Sequence, residues 1–114
     1  MVLWADDRCS KSRGARRLLA ERGVVPTVVR YLDAPPDRAE LARVVGLLGG
    51  DPHALVRTSE PAFTALGLQN AGPETLLDAL AAHPELIERP VVVCGTRAVV
   101  ARPPELLLGL LDEG

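Results

Sequence analysis

Aromatic residues make up only 3% of this 114-residue chain, with one Trp, one Tyr and one Phe. Trp4, Tyr31 and Phe63 are scattered, so they do not predict the stacking surface on which single-stranded nucleic acids bind. The formal net charge of −2 likewise argues against bulk electrostatic binding to nucleic acids or anionic membranes. No apolar run approaches the ~18 residues of a membrane span, and no charged-then-apolar leader is evident. We therefore expect a cytoplasmic protein with no direct nucleic-acid partner and no membrane partner.

Cysteine and histidine are also rare, with two of each. Cys9 and Cys94 lie far apart in sequence and predict no disulfide framework, so both should be thiols in a reducing compartment. Cys94 lies in an apolar run, roughly 13 Å along a strand from Pro90, and is expected to pack in the core rather than pair with Cys9. His53 and His83 do not form a metal pair. We expect no bound metal ion and no bound cofactor.

The hydrophobic content of 47% predicts a single globular domain over residues 1–114. Apolar and β-branched runs predict strands over 2–5, 27–32, 91–94 and 97–101. Helical spacing and capping residues predict helices over 12–22, 37–48, 73–83 and 105–111, and two short helices within 52–68 whose inward contacts are Leu55, Val56, Phe63 and Leu66. The order β-α-β, helical block, β-β-α is that of the α/β thioredoxin-like fold, with a mixed four-stranded sheet and a helical insertion at about 37–84.

Cys9 lies between the first predicted strand and the first predicted helix, in the stretch VLWADDRCSKSR. Backbone N–H groups and the positive end of the helix dipole at such a position stabilise a thiolate and attract an oxyanion. The neighbouring Arg8, Lys11 and Arg13 add positive charge. A reactive thiol is predicted, and the alternative is a structural cysteine that merely fills space.

Two carboxylates, Asp6 and Asp7, precede Cys9 and act in the opposite direction. Each would oppose a nearby anion by about 0.5–1 kcal/mol at ~8 Å and an effective dielectric of ~40 to ~80. Ser12 stands three residues after Cys9, where dithiol oxidoreductases have a second cysteine. Its hydroxyl either bonds the thiolate or caps the helix, and both interpretations stay open.

Five motifs spread over the chain resemble the glutaredoxin-coupled arsenate reductases of the ArsC family and their Spx-type relatives. These motifs are RCSKSR, RYLDAPPDRAEL, ALVRTSEP, HPELIERPVVV and ARPPE. The resemblance implies that Cys9 is the nucleophile and that Arg57, Arg89 and Arg102 hold arsenate and the oxyanion intermediates. Guanidinium groups suit this role because they bind tetrahedral oxyanions bidentately and stay charged. Ser12 and Arg13 are candidate supports of the thiolate.

The resemblance also implies how arsenate would be reduced for arsenic detoxification. Cys9 would attack arsenate, a low-molecular-weight thiol such as glutathione would join the arsenic as co-substrate, and a glutaredoxin would supply the second thiol. A phosphatase-like arsenate reductase needs a Cys-x5-Arg loop, whereas Ala15 stands six residues after Cys9. In this architecture the proline before the third strand, here Pro90, is commonly cis, which would bring Arg89 within reach of Cys9.

One motif departs from the family. Members usually carry His-Asn-Pro just ahead of the cysteine, and this chain has Ala5-Asp6-Asp7. The missing imidazole removes one means of lowering the pKa of the thiol. Two alternative functions stand beside the enzyme. One is an Spx-like transcription regulator that binds the RNA polymerase α subunit, and the other, which this departure keeps open, is a non-catalytic thiol-binding relative.

Overall fold

The computed structural model describes residues 1–111, which divide into two compact units. The first unit comprises Met1–Ala34 and the chain from Arg89 onward, and the second comprises Pro35–Glu88. Residues 112–114, the end of the predicted domain, lie outside the described residues. The single-domain organisation with an insertion at about 37–84 stays a prediction.

The first unit is built on a four-stranded sheet with the strand order β2-β1-β3-β4. Its strands are β1 (Val2–Trp4), β2 (Thr27–Val29), β3 (Val91–Cys94) and β4 (Arg97–Val100). β1 and β2 are parallel and are joined by helix α1 (Ser10–Glu21), whereas β1–β3 and β3–β4 are antiparallel. This mixed sheet and its connections confirm the predicted α/β thioredoxin-like fold.

Helix α1 forms because its apolar residues recur on one face. Ala15 and Leu19 are fully buried there, whereas the arginines of the helix are exposed. Gly23 ends the helix at a φ of 73°, a left-handed conformation in which glycine is favoured. The core of this unit is a cluster of small and aliphatic side chains: Leu3, Ala5, Ala15, Leu19, Val92, Ala101, Leu107 and Leu110.

The sheet register brings three chain segments to the same edge. Val91 pairs with Trp4 on β1 and with Val100 on β4, and the Pro90 carbonyl accepts a hydrogen bond from the Ala101 amide at 2.8 Å. The segment that follows β1, the segment that precedes β3 and the segment that follows β4 therefore meet at this edge. Cys94 pairs with Arg97 at the opposite end of the hairpin and packs partly buried against the core, as the sequence predicts.

The second unit is helical. It contains α2 (Arg38–Leu47), α3 (Pro61–Ala65) and α4 (Pro73–Ala82), with 3-10 turns at Pro52–Leu55, Leu68–Asn70 and Pro84–Leu86. The Asp37 side chain caps α2 by accepting a hydrogen bond from the Glu40 amide at 2.8 Å, and α2 packs against α4. Val56 and Ile87 form an isolated antiparallel bridge within the unit.

Three local predictions are wrong. Strand β2 ends at Val29 rather than at residue 32, because its partner β1 ends at Trp4 and the chain turns at Arg30. The last helix starts as a 3-10 turn at Pro104–Leu107, a common form at helix ends, and only Leu108–Leu111 is α-helical (α5). Leu66 is 45% exposed, because it follows the single turn of α3 rather than lying on its buried face.

None of the helices within residues 1–111 combines the length and apolar character that a membrane span requires.

Candidate active site

Cys9 occupies the N-cap position of α1. After β1 the chain makes a turn in which the Cys9 amide donates to the Asp6 carbonyl at 2.9 Å. The Cys9 carbonyl then accepts the first hydrogen bond of the helix, from the Arg13 amide at 3.1 Å. The thiol is free and partly buried. The sulfur therefore stands at the positive end of a 12-residue helix, as the strand-turn-helix pattern predicts.

Several groups set the pKa of the Cys9 thiol. Burial alone would raise this pKa, because it disfavours the charged thiolate. The backbone N–H groups of Ser12 and Lys11, the charge of Arg89 and the Ser12 hydroxyl act in the opposite direction and hold the pKa of Cys9 below its ordinary value. The thiolate, which is the nucleophilic form of cysteine, is therefore more accessible at Cys9 than in a free cysteine.

Ser12 is polar, yet its side chain is buried, with only 1% of the residue exposed. Its oxygen accepts a hydrogen bond from the Asp6 amide at 3.2 Å. Its hydroxyl also lowers the pKa of Cys9 through a hydrogen bond to the thiol. Ser12 is not the helix cap, because Cys9 holds that position. The interpretation of Ser12 as the helix cap is therefore wrong, and its support of the thiolate stays a prediction.

Arg102 lies against the sulfur. Its Nη1 atom is 3.9 Å from Cys9 Sγ and donates a hydrogen bond to the Arg89 carbonyl at 2.9 Å. Both arginines precede a cis peptide bond, at Arg89–Pro90 and Arg102–Pro103, and the first of these confirms the predicted cis proline. Arg89 is close enough for its charge to lower the pKa of both Cys9 and Asp6. Cys9, Arg89 and Arg102 are thus brought together at one edge of the sheet.

The two carboxylates before Cys9 are both engaged by arginines. Asp6 Oδ1 accepts from the Arg8 amide at 3.1 Å and from Arg8 Nε at 3.2 Å. Burial works to raise the pKa of Asp6, but these bonds and the charges of Arg8 and Arg89 hold it below its ordinary value. Asp7 pairs with Arg16 and Arg30 at 3.1 and 2.9 Å. The sequence did not predict these ion pairs of Asp6 and Asp7 with arginines.

The remaining two predicted site residues have other contacts. The Arg13 guanidinium donates to the Asp7 carbonyl at 3.0 Å, so it binds the backbone of the loop between β1 and α1 (residues 5–9, the cysteine loop). Its support of the thiolate stays a prediction. Arg57 belongs to the second unit, where its Nη1 pairs with Glu60 Oε2 at 2.8 Å and its amide donates to the Leu86 carbonyl at 2.7 Å. Its predicted part in oxyanion binding also stays a prediction.

An open cleft of about 420 Å³ lies beside the cysteine loop and is lined by Ala5, Asp6, Asp7, Arg8, Arg30, Leu32 and Asp33. Within residues 1–111, no three side chains of the metal-ligating types His, Cys, Asp or Glu converge as a metal site requires. The groups that do converge are a thiol whose pKa is lowered, backbone N–H donors and two guanidinium groups. Such a set can bind a tetrahedral oxyanion and attack its central atom.

The chain is similar to known proteins over nearly its whole length. The model of the ArsC family matches residues 5–109. "Arsenate reductase" from Neisseria meningitidis serogroup A / serotype 4A is 41% identical over 112 residues, covering 96% of both chains. "Uncharacterized protein YfgD" from Escherichia coli K12 is 38% identical over 96% of this chain and 94% of its own length. The solved structure "Arsenate reductase from Vibrio cholerae" superposes with a TM-score of 0.90 at 39% identity, covering 95% of this chain and 94% of its own.

Proposed function

Since the chain belongs to the ArsC family, we propose that it reduces arsenate to arsenite with Cys9 as its single catalytic thiol. The observation that carries this proposal is the placement of Cys9 Sγ at the start of α1 with Arg102 Nη1 3.9 Å away. The names of its relatives from Neisseria meningitidis and Vibrio cholerae supply the substrate.

The first step is attack by the Cys9 thiolate on the arsenic of arsenate. A sulfur–arsenic bond forms, an arsenic–oxygen bond breaks, and the departing oxygen takes up protons and leaves as water. The product is a Cys9-bound arsenic(V) adduct whose negative oxygens face positive groups. The lowered pKa of Cys9 supports this step because it increases the thiolate fraction near neutral pH.

Arg89 and Arg102 are the proposed oxyanion-binding residues of the first unit. Both lie at the sheet edge where Cys9 is located, and each presents several N–H donors in one plane. Hydrogen bonds from guanidinium to an oxyanion are charge-assisted and contribute about 1.5–3 kcal/mol each. The resemblance assigns the same task to Arg57, and substitution will test that assignment.

Two further thiols complete the proposed reaction. A low-molecular-weight thiol such as glutathione condenses with the adduct, forming a second sulfur–arsenic bond and releasing water. The thiolate of a glutaredoxin then attacks the glutathione sulfur: the sulfur–sulfur bond of a mixed disulfide forms, and the sulfur–arsenic bond to glutathione breaks. The electron pair of the broken bond stays on arsenic, which is thereby reduced from arsenic(V) to arsenic(III). Water finally releases arsenite and returns Cys9 as a thiol. The chain itself needs no second cysteine for this cycle, which agrees with Ser12 three residues after Cys9.

The deciding experiment measures arsenite release by the purified protein with arsenate, glutathione and glutaredoxin. We expect turnover in the parent protein, none in Cys9→Ser and unchanged turnover in Cys94→Ser, since Cys94 lies at the opposite end of the sheet. Arg89→Ala, Arg102→Ala and Arg57→Ala should each raise the KM for arsenate by about ten-fold or more. Arg17→Ala is a matched control on the exposed side of α1.

Absence of turnover in the parent protein under these conditions would refute the proposed activity. Two outcomes then separate the alternatives. Retention of the chain on immobilised RNA polymerase α subunit would identify a regulator. Mixed-disulfide formation between Cys9 and glutathione, without arsenite release, would identify a thiol-binding relative. If all three arginine variants keep the parent KM, the proposed oxyanion-binding residues are wrong.

A further inference from the structure

Three arginine side chains bind one residue of the cysteine loop, Asp7. Arg16 Nη1 contacts Asp7 Oδ1 at 3.1 Å, and Arg30 Nε contacts Asp7 Oδ2 at 2.9 Å. Arg13 Nη1 donates to the Asp7 backbone carbonyl at 3.0 Å. Two of these arginines come from α1 and one follows β2. Asp7 therefore ties the loop to two different elements of the first unit.

The exposure of these groups alone would suggest an ordinary surface pair. The Asp7, Arg16 and Arg30 side chains are 46%, 47% and 59% exposed, and isolated pairs at such exposure contribute little to stability. Here, however, both carboxylate oxygens and the carbonyl of one residue are all engaged. A network of this kind restricts one short loop, and that loop ends at Cys9, two residues after Asp7.

The position of this loop decides what surrounds the Cys9 sulfur. The N–H groups of Ser12 and Lys11 belong to the first turn of α1, whereas Cys9 is held from the other side by the turn that begins at Asp6. Arg89 and Arg102 act on the sulfur from the other segments of the sheet edge. The charged residues of its own loop and first helical turn are Asp6, Asp7, Arg8, Lys11 and Arg13.

We propose that Asp7 is a positioning residue for Cys9: it fixes the loop so that the sulfur stays at the start of α1, while Arg16 and Arg30 compensate its negative charge. The inference rests on the proposed nucleophilic role of Cys9. Its test needs no arsenate, so its failure can be told apart from failure of the proposed function.

The test compares Asp7→Asn with the parent protein, both in a Cys94→Ser background that leaves one thiol. The readout is the pH dependence of Cys9 alkylation by iodoacetamide, supported by thiolate ultraviolet absorbance. Removing a negative charge would by itself lower the pKa of Cys9 or leave it unchanged. Loss of positioning should instead raise it by about half a pH unit, which leaves about three-fold less thiolate at neutral pH. The sign of the shift therefore separates the two effects.

Asp33→Asn is the matched control, because Asp33 lines the same cleft and makes no ion pair within residues 1–111. This variant should leave the pKa of Cys9 unchanged or lower it slightly. Asp7→Glu restores the charge on a longer side chain and should recover part of the parent pKa. A pKa of Cys9 that is unchanged or lowered in Asp7→Asn overturns the proposal.

A second pair of variants keeps the proposal testable if Asp7→Asn folds poorly. Arg16→Gln and Arg17→Gln each remove one positive charge from neighbouring positions of α1, but only Arg16 binds Asp7. Arg16→Gln should raise the pKa of Cys9 by several-tenths of a unit more than Arg17→Gln. Equal shifts in the two variants would show that the arginines act by charge alone, and would likewise overturn the positioning role.

Discussion

Replacement of Arg102 by alanine tests the electrostatics of the site most directly. Arg102 Nη1 lies 3.9 Å from Cys9 Sγ. At that separation a unit charge stabilises the thiolate by about 1 kcal/mol at an effective dielectric of ~80, the appropriate limit for an exposed guanidinium. That energy corresponds to about 0.8 pKa unit. Arg102→Ala should therefore raise the pKa of Cys9 and lower the thiolate population at neutral pH about six-fold.

The assay is the rate of Cys9 alkylation by iodoacetamide across the pH range of the titration, in a Cys94→Ser background. The curve for Arg102→Ala should keep the shape and the high-pH plateau of the parent curve and move to higher pH. Arg102→Lys separates charge from geometry: it should keep most of the parent pKa but lose arsenate affinity, because an ammonium group has no planar fork. A curve for Arg102→Ala that superposes on the parent curve would refute the assigned electrostatic role.

Three further predictions concern the thiol, its buried neighbour and the cap of α2. The pKa of Cys9 is lower in the folded state than in the unfolded chain, so its thiolate should stabilise the folded state. This stabilisation should be fully present above pH ~8.5 and should be lost as the pH falls through the folded-state pKa. Unfolding free energies of the parent and Cys9→Ser, measured by urea titration at several pH values, should therefore diverge with rising pH; a constant difference would contradict this. Ser12→Ala should raise the pKa of Cys9 and cost about 1 kcal/mol of stability, since the partly buried Asp6 amide loses its acceptor, whereas retained stability would show that another group accepts this bond. Asp37→Ala should lower the unfolding free energy by about 1 kcal/mol without changing the pKa of Cys9, because it removes only the cap bond to the Glu40 amide.

The fold was largely predictable because short-range signals agree with one another. The hairpin is an example: it consists of the run Val91–Cys94, a turn glycine and the β-branched residues that follow. The turn glycine, Gly95, has a φ of 61°. Helix α1 shows the expected apolar spacing and its glycine stop. These features depend on neighbours within a few residues. They were therefore visible in the sequence before any tertiary contact was known.

The errors arose where distant segments decide the outcome. Residues 30–32 have the composition of a strand, but a strand needs a partner, and β1 has already turned into the cysteine loop at that point. The exposure of Leu66 depends on the single-turn length of α3, which helical spacing does not specify. Both errors reflect tertiary context overriding local preference.

The candidate site was partly predictable for a related reason. Cys9 stands out because a cysteine before a helix in a basic turn has few structural uses. Arg89 and Arg102 were found only through family resemblance, although the hairpin register offers a physical signal. Since Cys94 pairs with Arg97 and Val91 with Val100, continuing the register outward brings residues 89 and 102 opposite each other. The contact between Arg102 Nη1 and the Arg89 carbonyl fits this register.

The ion pairs of Asp7 had no such signal, because Arg16 and Arg30 are nine and 23 positions away and an exposed arginine has many possible partners. These pairs nevertheless change the meaning of the Ala5-Asp6-Asp7 departure from the family pattern. An unpaired carboxylate at ~8 Å would disfavour the thiolate by about 0.5–1 kcal/mol. Both carboxylates are instead matched by guanidinium groups, and the pKa of Cys9 is still lowered. The missing imidazole therefore does not preclude a reactive thiol at Cys9. Backbone N–H groups of the helix and nearby arginines stabilise the thiolate form in its place.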